Sequence, residues 1–113
     1  MYYTYIIRCT DNSLYTGITT DINRRFKQHK GIIEGGAKFM RGHTPVRIEA
    51  VWQSPDRQSA SKLEYRIKKL SKFKKEELIS AKMITKDFFG NSADYLDDTN
   101  YIYLDLEGKN DVL

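Results

Sequence analysis

The run from Leu14 to His29, LYTGITTDINRRFKQH, constrains this chain more than any other stretch. It opens with β-branched and aromatic residues, meets a glycine at position 17, and continues past Thr20-Asp21 at helical spacing. It predicts a strand that turns directly into a helix running from about Asp21 to Lys30. Thr20 or Asp21 can cap that helix by accepting hydrogen bonds from its first unpaired N–H groups. Ile22 and Phe26, four apart, give the helix an apolar face. Arg25 and His29, also four apart, share a different face at about 6 Å. A guanidinium and an imidazole beside the strand residue Tyr15 suit a phosphate.

The residues before this run complete a hairpin. Tyr2 to Cys9 (YYTYIIRC) reads as a strand, and Asp11-Asn12-Ser13 is turn chemistry. A three-residue loop there pairs Cys9 with Tyr15 and Ile7 with Gly17. Because side chains alternate with period two, that loop sets Tyr3, Tyr5, Ile7, Tyr15 and Gly17 on one face. Gly31 to Pro45 (GIIEGGAKFMRGHTP) reads as a glycine-punctuated basic loop with a short helical turn at Ala37–Arg41. Val46 to Gln53 alternates as a third strand, with Val46, Ile48, Ala50 and Trp52 on one side. Ser54-Pro55-Asp56 opens a second helix with Ala60, Leu63, Ile67 and Leu70 as its buried stripe. Glu64 tilts toward the core side of that helix. Lys74 to about Met83 reads as a third helix, with Leu78 and Ile79 inward. Tyr101 to Leu106 has the composition of a short strand, within an otherwise thinly patterned end.

At 113 residues the chain suits one domain with a tail. No apolar run approaches the roughly 20 residues of a membrane span. The beginning, MYYTYII, has neither the basic leader nor the cleavage site of a signal peptide. One cysteine, Cys9, cannot form an internal disulfide, and two histidines give no zinc set. These features point to a reducing cytoplasm. The net charge of +4 is unevenly spread. Residues 1–80 carry 16 lysines and arginines against 8 acids, whereas residues 81–113 carry 3 against 7. A basic domain over residues 1–82, followed by an acidic extension over 83–113, implies a polyanionic partner for the former.

A carboxylate turned inward needs a cation or donor to answer it. Glu64, Arg25, His29 and the phenols of Tyr5 and Tyr15 together make a kit for cleaving a phosphodiester. A divalent cation on Glu64 would polarise the phosphate. Arg25 would neutralise the charge gained in the pentacovalent transition state. A phenol or the imidazole would orient and deprotonate water. Lys38, Arg41 and His43 in the glycine loop suit contacts to backbone phosphates, which position a nucleic acid without reading its sequence.

Tyr3-Thr4-Tyr5, Tyr15-Thr16-Gly17, Arg25, His29 and Glu64, in that order, resemble the GIY-YIG nuclease domain. The likeness covers about residues 2–80 and is nearest to the small stand-alone bacterial branch related to structure-specific endonucleases. The segment Gly36-Ala37-Lys38-Phe39-Met40-Arg41-Gly42 is similar to a loop of that branch. Tyr3 stands where the family's first triplet has glycine, and Thr4 and Thr16 replace isoleucines. The resemblance implies an α+β fold in which about three helices flank a three-stranded antiparallel sheet. It also implies hydrolysis dependent on Mg²⁺ or Mn²⁺, with Glu64 as metal ligand and Arg25 on the scissile phosphate. Tyr5 or Tyr15 would be base or water-orienting group, and Gly17 would border the substrate. The implied substrate is DNA, branched or damaged. A catalytically quiet nucleic-acid-binding module and a protein-interaction domain are the competing readings.

Overall fold

The computed structural model describes residues 1–84, 89 and 98–105. Four antiparallel strands form one sheet in the order β2-β1-β3-β4: β1 is Tyr2–Cys9, β2 Leu14–Thr19, β3 Pro45–Ser54 and β4 Ile102–Tyr103. The expected sheet of three strands is thus one strand short. Ile102 and Tyr103 add to the outer side of β3, pairing with Gln53 and Trp52. Much of the acidic extension expected over 83–113, including 85–88, 90–97 and 106–113, lies outside the described residues.

Three helices follow from local capping. α1 (Ile22–His29) starts at Asp21, whose carboxylate accepts from Arg24 N–H at 3.0 Å. α2 (Arg57–Lys68) starts at Asp56, which accepts from Ser59 N–H at 2.8 Å, so Pro55 lies just ahead of the cap. α3 is Lys72–Ala81 rather than Lys74 onward, because Ser71 caps it by accepting from Lys74 N–H. It ends at Lys82, whose left-handed backbone (φ 67°) cannot continue a helix.

The hairpin keeps its predicted parity in a different register. Tyr5 pairs with Gly17 and Ile7 with Tyr15, whereas the expected partners were Gly17 for Ile7 and Tyr15 for Cys9. The loop occupies Thr10–Asn12: Cys9 N–H donates to Ser13 O, and Asn12 adopts the left-handed conformation (φ 68°) open to asparagine. Asp11 holds Ser13 through both its N–H and its hydroxyl.

β3 departs more from its alternation. Pairing steps from Ile6↔Ala50 to Ile7↔Ile48, so Glu49 is an extra residue, and a second irregularity lies at Val46. Each bulge reverses the faces. Ala50 and Trp52 join Ile6, Leu63, Ile67, Leu78 and Ile84 in the cluster under α2 and α3. Ile48 and Val51 instead join Tyr5, Ile7, Cys9 and Phe26 under α1, and Val46 is exposed. The expected common side for Val46, Ile48, Ala50 and Trp52 fails for this reason. Each large side chain sealed in these clusters contributes about 1.5–3 kcal/mol.

One charged group is set into the second layer. Arg8 bonds Glu76 with both terminal nitrogens (2.6 and 2.8 Å) and Glu49 at 3.1 Å, tying β1 to β3 and α3. The sheet therefore has helices on both faces, and α1 carries the charged groups of interest on the Tyr5 side.

Candidate functional site

The site begins at the pairing of Tyr5 with Gly17. The Tyr5 ring lies across the glycine: a Cβ at position 17 would sit 2.5 Å from Tyr5 Oη and 3.2 Å from Tyr15 Cε2. Without that carbon the phenol crosses the strand and meets His29, with Oη 2.8 Å from Nε2. Tyr5 and His29 are both buried, while Tyr15 is partly exposed with its ring edge-on to His29 at 5.2 Å.

The backbone fixes the proton on the imidazole. Ala37 N–H donates to Nδ1 at 3.4 Å, so the neutral ring carries its proton on Nε2 and donates it to Tyr5 Oη. Burial, and then the nearby Arg25 charge, depress the His29 pKa to about 4, which keeps the ring neutral. With both nitrogens engaged, His29 orients the phenol rather than presenting a lone pair to a substrate.

Tyr5 receives opposing influences. Burial is the largest and pushes its pKa well above the ordinary tyrosine value; Arg25 pulls it down, and the Tyr15 and Glu64 charges push it up. Arg25 and Glu64 thus act on one phenol from α1 and α2. Arg25 is itself held: Nη1 donates to Gln28 Oε1 at 2.9 Å and to Gly35 O at 2.6 Å, leaving further donors in the same planar fork. Glu64 is partly exposed and pairs with Lys68 at 3.3 Å.

The structure therefore brings Tyr5, Tyr15, Gly17, Arg25 and His29 together and sets Glu64 within electrostatic reach. It treats the loop residues differently. Lys38 and Arg41 are exposed on a 3₁₀ turn, Lys38–Arg41, whose Phe39 and Met40 pack against the Tyr5 cluster. His43 is not a loose loop residue: Nδ1 lies 2.6 Å from Asp11 Oδ2, and the ring stacks on Phe39 at 3.9 Å. Phe39 in turn contacts Tyr15 at 5.3 Å, so an aromatic file runs from His43 to the site. Sequence reading assigns Gln28 no role, and it places Asp11 in a turn and Ala37 and Phe39 in the loop segment without assigning them to the site. Only Phe39, an aromatic in a basic loop, carries a signal that a sequence could offer.

Comparison with known proteins shows the family of this chain. The family signature described as the GIY-YIG catalytic domain matches residues 1–77. The chain belongs to the GIY-YIG family. Its curated relatives include the UPF0213 protein BH0048 of Halalkalibacterium halodurans, 47% identical over 81 residues, covering 72% of this chain and 84% of that protein. A UPF0213 protein of Vibrio cholerae is 51% identical over 83 residues, covering 70% and 77% of the two chains. The solution NMR structure of BH0048 aligns with 84% of this chain and all of that one, at 41% identity and a TM-score of 0.48. Among the described residues no helix is long and apolar enough to cross a membrane.

The donor set can be tested against the divalent cation that GIY-YIG nucleases generally need. Among the described residues no three His, Cys, Asp or Glu side chains gather as a cage. Mg²⁺ takes one or two carboxylates and fills its remaining positions with water and substrate phosphate. Glu64, exposed enough to exchange Lys68 for a cation, fits that pattern; a closed structural metal site does not.

Proposed function

We infer that this chain is a metal-dependent endonuclease that hydrolyses DNA phosphodiester bonds, guided by the shape of the DNA more than by a long recognition sequence. The observation that carries this reading is convergence on one phenol. Tyr5 Oη accepts a hydrogen bond from His29 Nε2–H, sits beside Arg25, and feels the Glu64 charge.

Each residue then has a task. The unspent donors of Arg25 take phosphoryl oxygens and offset the charge that builds in the transition state. Burial, Tyr15 and Glu64 oppose the phenolate of Tyr5 and Arg25 favours it, and burial prevails, so the phenol rests protonated. The phenol of Tyr5 or Tyr15 orients the attacking water and, once it has given its own proton to solvent, takes the water's proton as the water oxygen bonds to phosphorus and the sugar oxygen departs, to be protonated by solvent. Held at Glu64, Mg²⁺ or Mn²⁺ would supply positive charge to the phosphoryl oxygens and cancel the push of that carboxylate on Tyr5. Gly17 keeps the floor of the site low. Lys38 and Arg41 meet backbone phosphates beside it, and His43 holds their turn through Phe39.

The test is cleavage of labelled DNAs, continuous, nicked, flapped and four-way, with and without Mg²⁺. Cleavage by wild type that disappears with Glu64→Gln and with Arg25→Ala supports the reading. Metal-independent binding with no cleavage of any DNA would replace it with a quiet binding module.

A further inference from the structure

Gly31 ends α1 with a left-handed backbone (φ 79°). Its N–H donates to Gln28 O at 3.1 Å, and Ile32 N–H donates to Lys27 O at 2.9 Å, the two bonds of a Schellman motif. Such a motif commonly packs the residue after the glycine on an apolar partner one turn back in the helix. Here the two partner positions are Lys27 and Phe26, and Phe26 is sealed in the cluster with Tyr5, so Ile32 stays outside the core. Ile32 is 61% exposed and Ile33 36%, and neither belongs to a core cluster. The backbone under them is fixed all the same. Ile33 N–H also points to Lys27 O, and Gly35 O accepts from Arg25 Nη1. Two bare isoleucines thus stand on a braced loop tied to the guanidinium of the site.

Their surroundings say what would cover them. Arg24, Lys27 and Lys30 are exposed on the adjoining helix. Beside the pair opens a concavity of about 630 Å³, walled by Arg24, Gln28 and residues 31–36. A purely apolar partner would bury those three cations with only Glu34 in the same wall to answer them. A continuous duplex satisfies the cations but offers no apolar face. A break in the stack, as at a nick, flap or junction, offers both together: phosphates for the cations and an uncovered base pair for the isoleucines. We propose that Ile32 and Ile33 form an apolar step that seats against the base exposed at such a break, and so select interrupted over continuous DNA. The proposal rests on the DNA-hydrolase reading above and gives its substrate choice a physical seat.

The experiment uses a duplex with 2-aminopurine beside a central nick, its continuous counterpart, and the full chain in EDTA. Wild type binds the nicked DNA about tenfold more tightly, equal to about 1.4 kcal/mol, and changes the probe's fluorescence. Ile32→Ser/Ile33→Ser abolishes both the preference and the fluorescence change, yet binds continuous duplex within about twofold of wild type, since phosphate contacts supply that affinity. A variant with unaltered preference and fluorescence overturns the proposal. So does a concentration-dependent increase in mass that the double substitution removes, which would assign the pair to contact between copies. Cleavage with Mg²⁺ is read separately. Loss of the step alone leaves cleavage of continuous DNA intact, whereas failure of the hydrolase reading removes cleavage from every substrate.

Discussion

Gly17→Ala is the smallest change that reaches the centre of the site. The added Cβ would lie 2.5 Å from Tyr5 Oη and 2.8 Å from Tyr5 Cζ, distances that real contacts do not tolerate. Tyr5 is 2% exposed and packed with Ile7, Phe26 and Val51, so the ring cannot simply swing away. Overpacking of this kind costs about 1–3 kcal/mol, and loss of the Tyr5–His29 hydrogen bond adds about 1 kcal/mol. Alanine returns up to about 1 kcal/mol through its lower backbone entropy in a strand. The net destabilisation is therefore about 2 kcal/mol, or roughly 10 °C in Tm for a domain near this size. Displacing the phenol by about 1 Å lowers cleavage about 100-fold in the fraction that remains folded. Urea titration and single-turnover cleavage read the two effects separately. In a Tyr5→Phe background the nearest clashing atom is gone, so Gly17→Ala costs about 1 kcal/mol less there than in wild type. A Gly17→Ala protein as stable and as active as wild type would refute the reasoning. Equal costs in the two backgrounds would refute the assignment of the clash to the phenol oxygen.

Other perturbations separate fold from chemistry. Because the folded pKa of His29 is depressed from 6.5 to about 4, its contribution is fully present above about pH 6.5 and is lost as pH falls through 4. The total is about 3 kcal/mol, and urea titrations across that window should show the slope in wild type and not in His29→Gln. Glu64→Gln removes cleavage by about 1000-fold, yet shifts stability by no more than about 0.5 kcal/mol, since its ion pair with Lys68 is partly solvated. Arg8→Ala does the reverse. It takes the charge-assisted bonds of Arg8 from Glu49 and Glu76, which keep only Arg47 and Lys72, costs about 2 kcal/mol by urea titration, and leaves the cleavage rate of folded protein within a few-fold of wild type.

What the sequence disclosed follows the range of the interactions involved. Hairpin parity was legible because the pleat makes it binary, and any odd loop puts Tyr5, Tyr15 and Gly17 on one face. The register was not, because it turned on whether Asn12 would take a left-handed backbone, which several turn residues in a row permit. Alternation in β3 misled because a bulge at Glu49 leaves no mark in a hydrophobic pattern; the extra residue's carboxylate meets Arg8 and Arg47, the first of them 41 positions away. β4 was missed as part of the sheet because two paired residues carry too little pattern. In the site, the side chains were legible by type and offset, and five of them meet at or around Tyr5. The parts that set their state were not. The Ala37 N–H that fixes the His29 tautomer is a backbone group any residue would supply, and the Asp11–His43 pair joins positions 32 apart.

Single-turnover cleavage of a nicked or four-way DNA with Mg²⁺, by wild type beside Tyr5→Phe, tests the central claim most directly, namely that chemistry converges on the Tyr5 phenol. The account predicts cleavage by wild type, none in EDTA, and a fall of at least about 100-fold in Tyr5→Phe with DNA affinity unchanged. Cleavage by Tyr5→Phe at the wild-type rate would contradict it.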